Sequence, residues 1–423
     1  MTSSRFTAGL LGLCLLCWLG AASAAGPGSD SAQPSLYRDA AGTLHLTWSG
    51  AGEGEAERAI WHATLTPEAP TWSAPQAVVS TPLLLENWAD FATTAVGTDG
   101  TLWAQWYQRR AGGRGYDGWF ARSTNDGASW STPVPLGHEF VSLAPLEGGR
   151  MMAVWLEKAP PAADQATYAP SMQLSARLLG PEGQTLQDWV VDPDVCTCCQ
   201  TTLAALTGGR LLVAYRGHTP EEIRDNHVAV FENGDWQRPQ VLHADGWMIP
   251  GCPVNGPAAD GMGERAAVAW FTAAWGKARV QVAFSGDGGD SFGAPIPVDL
   301  GQPIGRVDLV SLPDGSAIVS WLEVGAESGG ADLYVRQFRP TGPVGSPLRL
   351  AALSSSRASG FPRMAVRNPE TGQLVISYTE VSTDSPPQVV TRAFTTDDLA
   401  QDRPIEVSSA AVEPASPPCA CSM

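Results

Sequence analysis

Three observations predict an all-β chain. Short apolar segments recur from end to end, each bounded by Gly, Pro, Asn or Asp. No segment keeps a helical apolar period over three turns. One composite pattern then repeats: a Gly-rich turn, an apolar strand ending in Trp or Tyr, a loop, a second strand, a turn and a polar strand. Its copies lie about 50–60 residues apart, the length of one four-stranded sheet in a radial array. The predicted architecture is a single β-propeller of four-stranded blades.

The copies follow one another through their aromatic strand ends, which are Trp48, Trp106, Trp155, Tyr215, Trp270, Trp321 and Tyr378. Apolar segments at 91–96, 140–146, 202–206 and 307–312 precede four of them. Turns such as Thr98-Asp99-Gly100, Gly148-Gly149 and Pro313-Asp314-Gly315 join each pair of segments as a hairpin. Seven aromatic ends predict seven blades, with six as the alternative. The aromatics themselves read as core, because a half-buried sheet needs large apolar side chains on the face it packs.

The propeller is assigned to residues 25–408. Residues 1–24 read as an export signal: Arg5 is the positive start, an apolar run follows, and Ala22-Ser23-Ala24 supplies a cleavage site. The run is too short to span a bilayer, and no later one is long and apolar enough for insertion. The expected destination is the periplasm or the exterior. Residues 409–423 read as a flexible, Pro-rich tail ending in Cys419-Ala420-Cys421. A formal charge of −17 argues against nucleic acid and anionic membranes as partners.

Two turns are more specific than the rest. Ser123-Thr124-Asn125-Asp126-Gly127-Ala128-Ser129-Trp130 and Ser285-Gly286-Asp287-Gly288-Gly289-Asp290-Ser291-Phe292 share one pattern. Ser123, Asn125, Ser285 and Asp287 are placed to bond turn backbone, Gly127 and Gly289 to take positive φ, and Trp130 and Phe292 to pack beneath the hairpin. This pattern resembles the Asp-box of sialidases and other BNR-repeat proteins. The resemblance implies the propeller fold and a structural role for both boxes. It also implies, for a sialidase, an arginine triad, a Tyr–Glu nucleophile pair and an Asp acid/base. Tyr37-Arg38-Asp39-Ala40 begins like the Phe/Tyr-Arg-Ile-Pro run of that family but lacks Ile-Pro. No motif places the Tyr–Glu pair or the Asp, and seven repeats depart from the usual six.

In a propeller the loops entering each innermost strand share one face with the loops leaving each second strand. The entering loops here carry Trp88-Ala89-Asp90, His138-Glu139, Cys196 to Cys199, His243 to Cys252, Arg306 with Asp308, and Phe361 with Arg363. A leaving loop adds Arg216, His218, Glu222, Arg224 and Asp225. Arg216, Arg224, Arg306 and Arg363 are candidates to hold an anionic ligand, with Asp225 and Asp308 as orienting carboxylates. The competing reading is that Arg–Asp pairs brace loops between blades. Trp88, Trp247 and Trp275 lie in loops, where an indole can contact a sugar ring.

Cys196, Cys198, Cys199 and Cys252 open adjacent blades, so the fold should bring them together. Three readings remain open. Cys252 can form a disulfide with Cys198 or Cys199, as an oxidising compartment allows. The thiols, with His243, His218 or Met248, can instead bind a soft metal such as copper(I) or zinc. They can also exchange disulfides with Cys419 and Cys421. The functional expectation is an exported propeller binding an anionic ligand, such as an acidic carbohydrate, or a soft metal at this face. A glycoside hydrolase of the exo-sialidase type and an envelope protein-interaction scaffold are the alternatives.

Overall fold

The computed structural model describes residues 27–52, 57–160, 171–326 and 329–400. The export signal and the Cys-Ala-Cys tail expected from the sequence lie outside the described residues. Within them the chain forms seven antiparallel sheets whose strands run in sequence order from the axis outward. The innermost strands are Ser31–Arg38, Thr93–Val96, Glu139–Leu146, Thr202–Ala205, Ala258–Met262, Pro303–Ser311 and Arg363–Asn368. The seven-blade count holds, and the six-blade alternative falls.

Each second strand carries its aromatic into the core. Trp106, Trp270 and Trp321 are fully buried, and Trp48, Trp155, Tyr215 and Tyr378 nearly so. Fully burying one such ring contributes on the order of 3 kcal/mol, so seven of them dominate packing between blades. Around the axis the residues are smaller. The innermost strands of all seven blades enclose a cavity of about 450 Å³ lined by Thr93, Ser142, Thr201, Asp260, Ser311 and their neighbours.

Two blades depart from the repeat. In blade four the outer edge is split, because Asp235–Trp236 and Gln240–Val241 both pair with Asn226–Glu232. Blade seven has three strands, Arg363–Asn368, Gln373–Glu380 and Gln388–Thr395. Its edge meets the start of the chain: Ser29 bridges Gln388, the Ser31 amide donates to Pro387 O at 2.9 Å, and the Val389 amide donates to Ser31 Oγ at 2.9 Å. The first and last blades are thus tied across the closure of the ring. A short α-helix, Thr396–Ala400, buries Leu399 beside blade six. Among the described residues, no helix is long and apolar enough to cross a membrane.

Both polar hairpins sit between third and fourth strands and form as their residues dictate. Ser123 Oγ accepts the Gly127 amide at 2.9 Å, and Asn125 Oδ1 accepts the Ser129 amide at 3.0 Å. In the second copy Ser285 Oγ accepts the Gly289 amide at 2.9 Å and Asp287 accepts the Ser291 amide at 3.0 Å. Gly127 and Gly289 take φ of +83° and +93°. Trp130 and Phe292 pack against the neighbouring core.

Candidate functional site: a four-thiol cluster on the loop-bearing face

The segment entering blade four is fixed from three sides. The Cys196 amide donates to Arg216 O at 3.0 Å, which anchors it to the loop leaving the second strand of the same blade. Gln200 reaches across the axis, donating to Ala89 O at 2.8 Å and accepting the Gly256 amide at 2.9 Å. Thr202 Oγ1 donates to Pro257 O at 2.8 Å. The two cysteine-bearing loops are therefore laced together by side chain to backbone bonds, and not by a disulfide.

All four cysteines of this face are free thiols. The Sγ atoms of Cys196, Cys198 and Cys199 lie within 4.8 Å of one another. Cys196 and Cys199 approach to 3.2 Å, well beyond the ~2.05 Å of a covalent S–S bond. Cys252 comes from the next blade, 3.7 Å from Thr197 Oγ1 and within hydrogen-bonding reach of Cys198. Cys196 and Cys199 are buried, while Cys198 and Cys252 keep partial access to solvent.

The electrostatics divide the thiols into two kinds. Burial alone would push the Cys196 thiol up. Hydrogen bonds from Cys198 and Cys199, with the charges of Arg224 and Arg216, outweigh it and hold Cys196 well below the usual thiol range. Cys252 is lowered to about 6, chiefly by a hydrogen bond with Cys198. Cys198 is raised by the same bonds, and Cys199 is raised to about 12 by burial first and Cys196 second. Thiolate character thus concentrates on Cys196 and Cys252, and the other two donate to them.

Arginine surrounds this cluster on its buried side. Arg224 Nη1 lies 3.5 Å from Cys196 Sγ, and its Nη2 donates to Glu222 Oε2 at 2.7 Å. His218 then links Glu222, at 3.2 Å, to Asp194, at 2.9 Å. Arg216 is only 2% exposed. It donates to the carbonyls of Arg224, Asn255 and Phe271 at 2.6–2.8 Å and lies over the Trp247 ring at 4.8 Å. Asp225 does not face the thiols; its carboxylate accepts the Gly246 and Trp247 amides, both at 2.9 Å, and shapes the loop ahead of Cys252.

The arginines do not converge on one point. Arg363 pairs with Asp308 at 3.0 Å and covers the Phe91 and Phe361 rings. Arg306 donates to the carbonyls of Gly360, Ser355 and Ser356 and lies 5.2 Å from the Trp88 centroid. His243 is likewise engaged elsewhere, by Asp245 at 2.9 Å, with its ring tilted over Trp270. The structure therefore gathers Cys196, Cys198, Cys199, Cys252, Arg216 and Arg224, and sets the other candidates apart from them.

Two features of this face have no sequence signal: the place of Arg357, and the protonation of Asp90 within the entering loop already named. Arg357 lies over the far side of the loop system, 5.7 Å from the same Trp88 ring as Arg306. Among the described residues neither guanidinium pairs with a carboxylate, and Arg306 is lowered to about 10 by burial and by repulsion from Arg357. The second is a buried acid. Asp90 accepts the Phe140 amide at 3.0 Å and the Tyr116 hydroxyl at 3.1 Å, and burial pushes its carboxyl up to about 8. Glu139 beside it is raised by burial and by Cys252, so this acid pair adjoins the thiols. Backbone strain collects on the same face: Phe140, Glu222, Val254 and Arg306 all have positive φ, which is costly for β-branched Val254 above all.

No family model matches the chain, and no curated protein matches it. Among solved structures, it is similar to the BP39L lectin from Burkholderia pseudomallei, with 12% identity, 86% of this chain and 96% of that one covered, and a TM-score of 0.59. The fold is a seven-bladed β-propeller. More distant matches are the NanB sialidase from Streptococcus pneumoniae, with 11% identity over 89% of this chain and 70% of that one, at a TM-score of 0.45. The intramolecular trans-sialidase from Ruminococcus gnavus follows at 12% identity, covering 90% and 98%, with a TM-score of 0.44. At these identities the likeness is one of fold alone.

Proposed function

We propose that this propeller is an exported protein that holds a soft, thiophilic metal ion, copper(I) or zinc, at Cys196, Cys198, Cys199 and Cys252. The observation that carries the reading is the convergence of three unbonded thiols in the segment entering blade four, with the free thiol of Cys252 from the next blade beside Cys198. A tetrahedral thiolate site with metal–sulfur bonds of about 2.3 Å sets its sulfurs about 3.8 Å apart. The three clustered sulfurs lie within 4.8 Å of one another, about an ångström wider than that spacing at most. Sulfur donors favour copper(I) and zinc over magnesium or calcium, which prefer oxygen.

Metal analysis of protein purified without chelator tests this, followed by reconstitution of the apoprotein with zinc or copper(I). One ion per chain is expected, with loss of stoichiometric binding in Cys199→Ser. No retained metal, or the same content in the variant, would overturn the reading. N-terminal sequencing of the protein from fractionated cells checks export, with Ala25 as the expected first residue.

A second reading is favoured by the Arg306–Arg357 pair. Two guanidiniums gather on one indole with no carboxylate partner among the described residues, an arrangement that suits the carboxylate or sulfate of an acidic carbohydrate. The lectin that shares the fold supports a carbohydrate partner at the level of the scaffold. Calorimetric titration with a uronate oligosaccharide is the check: Arg357→Ala should weaken binding at least tenfold, and equal affinity in both proteins would dismiss this site.

A further inference from the structure

We propose that Cys252 is a thiol–disulfide exchange site for small disulfides, and that Cys198 resolves the mixed disulfide it forms. Access and placement single out these two thiols. Cys196 and Cys199 are 0% and 1% exposed, so no reagent reaches them while the fold is intact. Cys198 and Cys252 are half-buried, lie on different loops, and contact one another. An incoming disulfide therefore meets only these two.

Cys252 is the better first nucleophile by position. It is flanked by Gly251 and Pro253 in irregular chain, whereas Cys198 is packed against the buried sulfurs of Cys196 and Cys199. The Thr197 hydroxyl, 3.7 Å away, can donate to its sulfur. The step balances without any further reactant. Cys252 Sγ attacks one sulfur of a disulfide RSSR, forming Cys252–S–S–R and releasing RS⁻. Cys198 then loses its proton to solvent and attacks Cys252 Sγ, forming the Cys198–Cys252 bond and releasing the second RS⁻. Two protein thiols are oxidised, and one small disulfide is reduced to two thiols.

The consequence for the metal rests on the metal-binding reading above. The Cys198–Cys252 bond removes two of the four ligands and leaves Cys196 and Cys199 reduced in the core. Small-disulfide concentration would then set how much of the protein can hold its ion.

The test uses the full chain in a Cys419→Ser/Cys421→Ser background, treated with oxidised glutathione and mapped by peptide mass spectrometry. Wild-type cluster residues should yield the Cys198–Cys252 disulfide, with Cys196 and Cys199 alkylated only after denaturation. The Cys198→Ser variant should instead trap one glutathione on Cys252. If that variant does not fold, the wild-type map decides alone. A Cys196–Cys199 bond formed first, an adduct on another cysteine, or four unmodified thiols would each overturn the proposal. Normal metal content with no exchange would sink only this inference; exchange in a protein that never binds metal would sink only the metal reading.

Discussion

Replacing Asp90 by Asn should change the pH dependence of stability in one direction. Asp90 is 2% exposed and its carboxyl is pushed up to about 8, by burial first, against hydrogen bonds from Tyr107, Phe140 and Tyr116. In the unfolded chain it returns to its ordinary value of 3.8. The folded state therefore binds the proton more tightly. Its contribution to stability is fully present below pH 3.8 and is lost as pH rises through about 8. Between those values the loss runs at up to ~1.4 kcal/mol per pH unit. Asn keeps the shape and can still accept the Phe140 amide, but it does not titrate. From pH 5 to pH 7.5 the stability difference between the two proteins should move by about 3 kcal/mol in favour of Asn. Urea unfolding followed by tryptophan fluorescence at several pH values measures it. A difference that stays flat across that range would refute a raised Asp90.

His62 works in the opposite sense. Burial, and then the neighbouring His45, lower it to about 3, so its stabilising contribution is present above the ordinary 6.5 and is lost as pH falls toward 3. His62→Gln should flatten the acid limb by up to ~1.4 kcal/mol per pH unit below pH 6.5, and melting temperatures at pH 4.5 and 6.5 will show it. Gly256→Ala should cost about 2–4 kcal/mol: its Cβ would overlap the Gln200 carbonyl and lie 2.7 Å from the Gln200 nitrogen, both immovable backbone. Denaturant unfolding measures that cost, and thiol titration of the folded variant should show faster reaction of Cys198 as the two loops part.

The repeat was legible because every blade faces the same packing problem and answers it with an aromatic at the end of its second strand. Trp106, Trp270 and Trp321 mark blades because each closes an apolar strand at the repeat spacing, and all three are fully buried. The thiol cluster was legible for a related reason: adjacent blades place their entry loops side by side, whatever those loops contain. The fates of the arginines were not. Whether Arg216 or Arg306 ends on a ligand or on carbonyl oxygens depends on loop backbone from other blades, and that path is set by contacts such as Gln200 with Ala89 and Gly256. Arg357 was overlooked because nothing in Ser355-Ser356-Arg357 marks it. Its meaning lies in Trp88 and Arg306, which are remote in sequence.

The buried arginines bear on which state of the sulfurs the fold was built around. If the four sulfurs were bonded in pairs, the cluster would carry no charge. Arg224 would keep Glu222, but Arg216 would be buried with only carbonyls and an indole face, and no carboxylate partner among the described residues. Buried cations without a counter-charge are strongly disfavoured. A thiolate at the 3.5 Å separation of Cys196 from Arg224 gains about 5 kcal/mol of attraction even at an effective dielectric constant near 20. The arginine cradle therefore stabilises sulfur as thiolate and gives nothing to the neutral, bonded form. A divalent ion on four thiolates, or a monovalent ion on three, leaves two negative charges, which two guanidiniums can match. The charges that surround the cluster thus favour thiolate over neutral sulfur, and Arg216 is spent on backbone carbonyls without converging on an external anion.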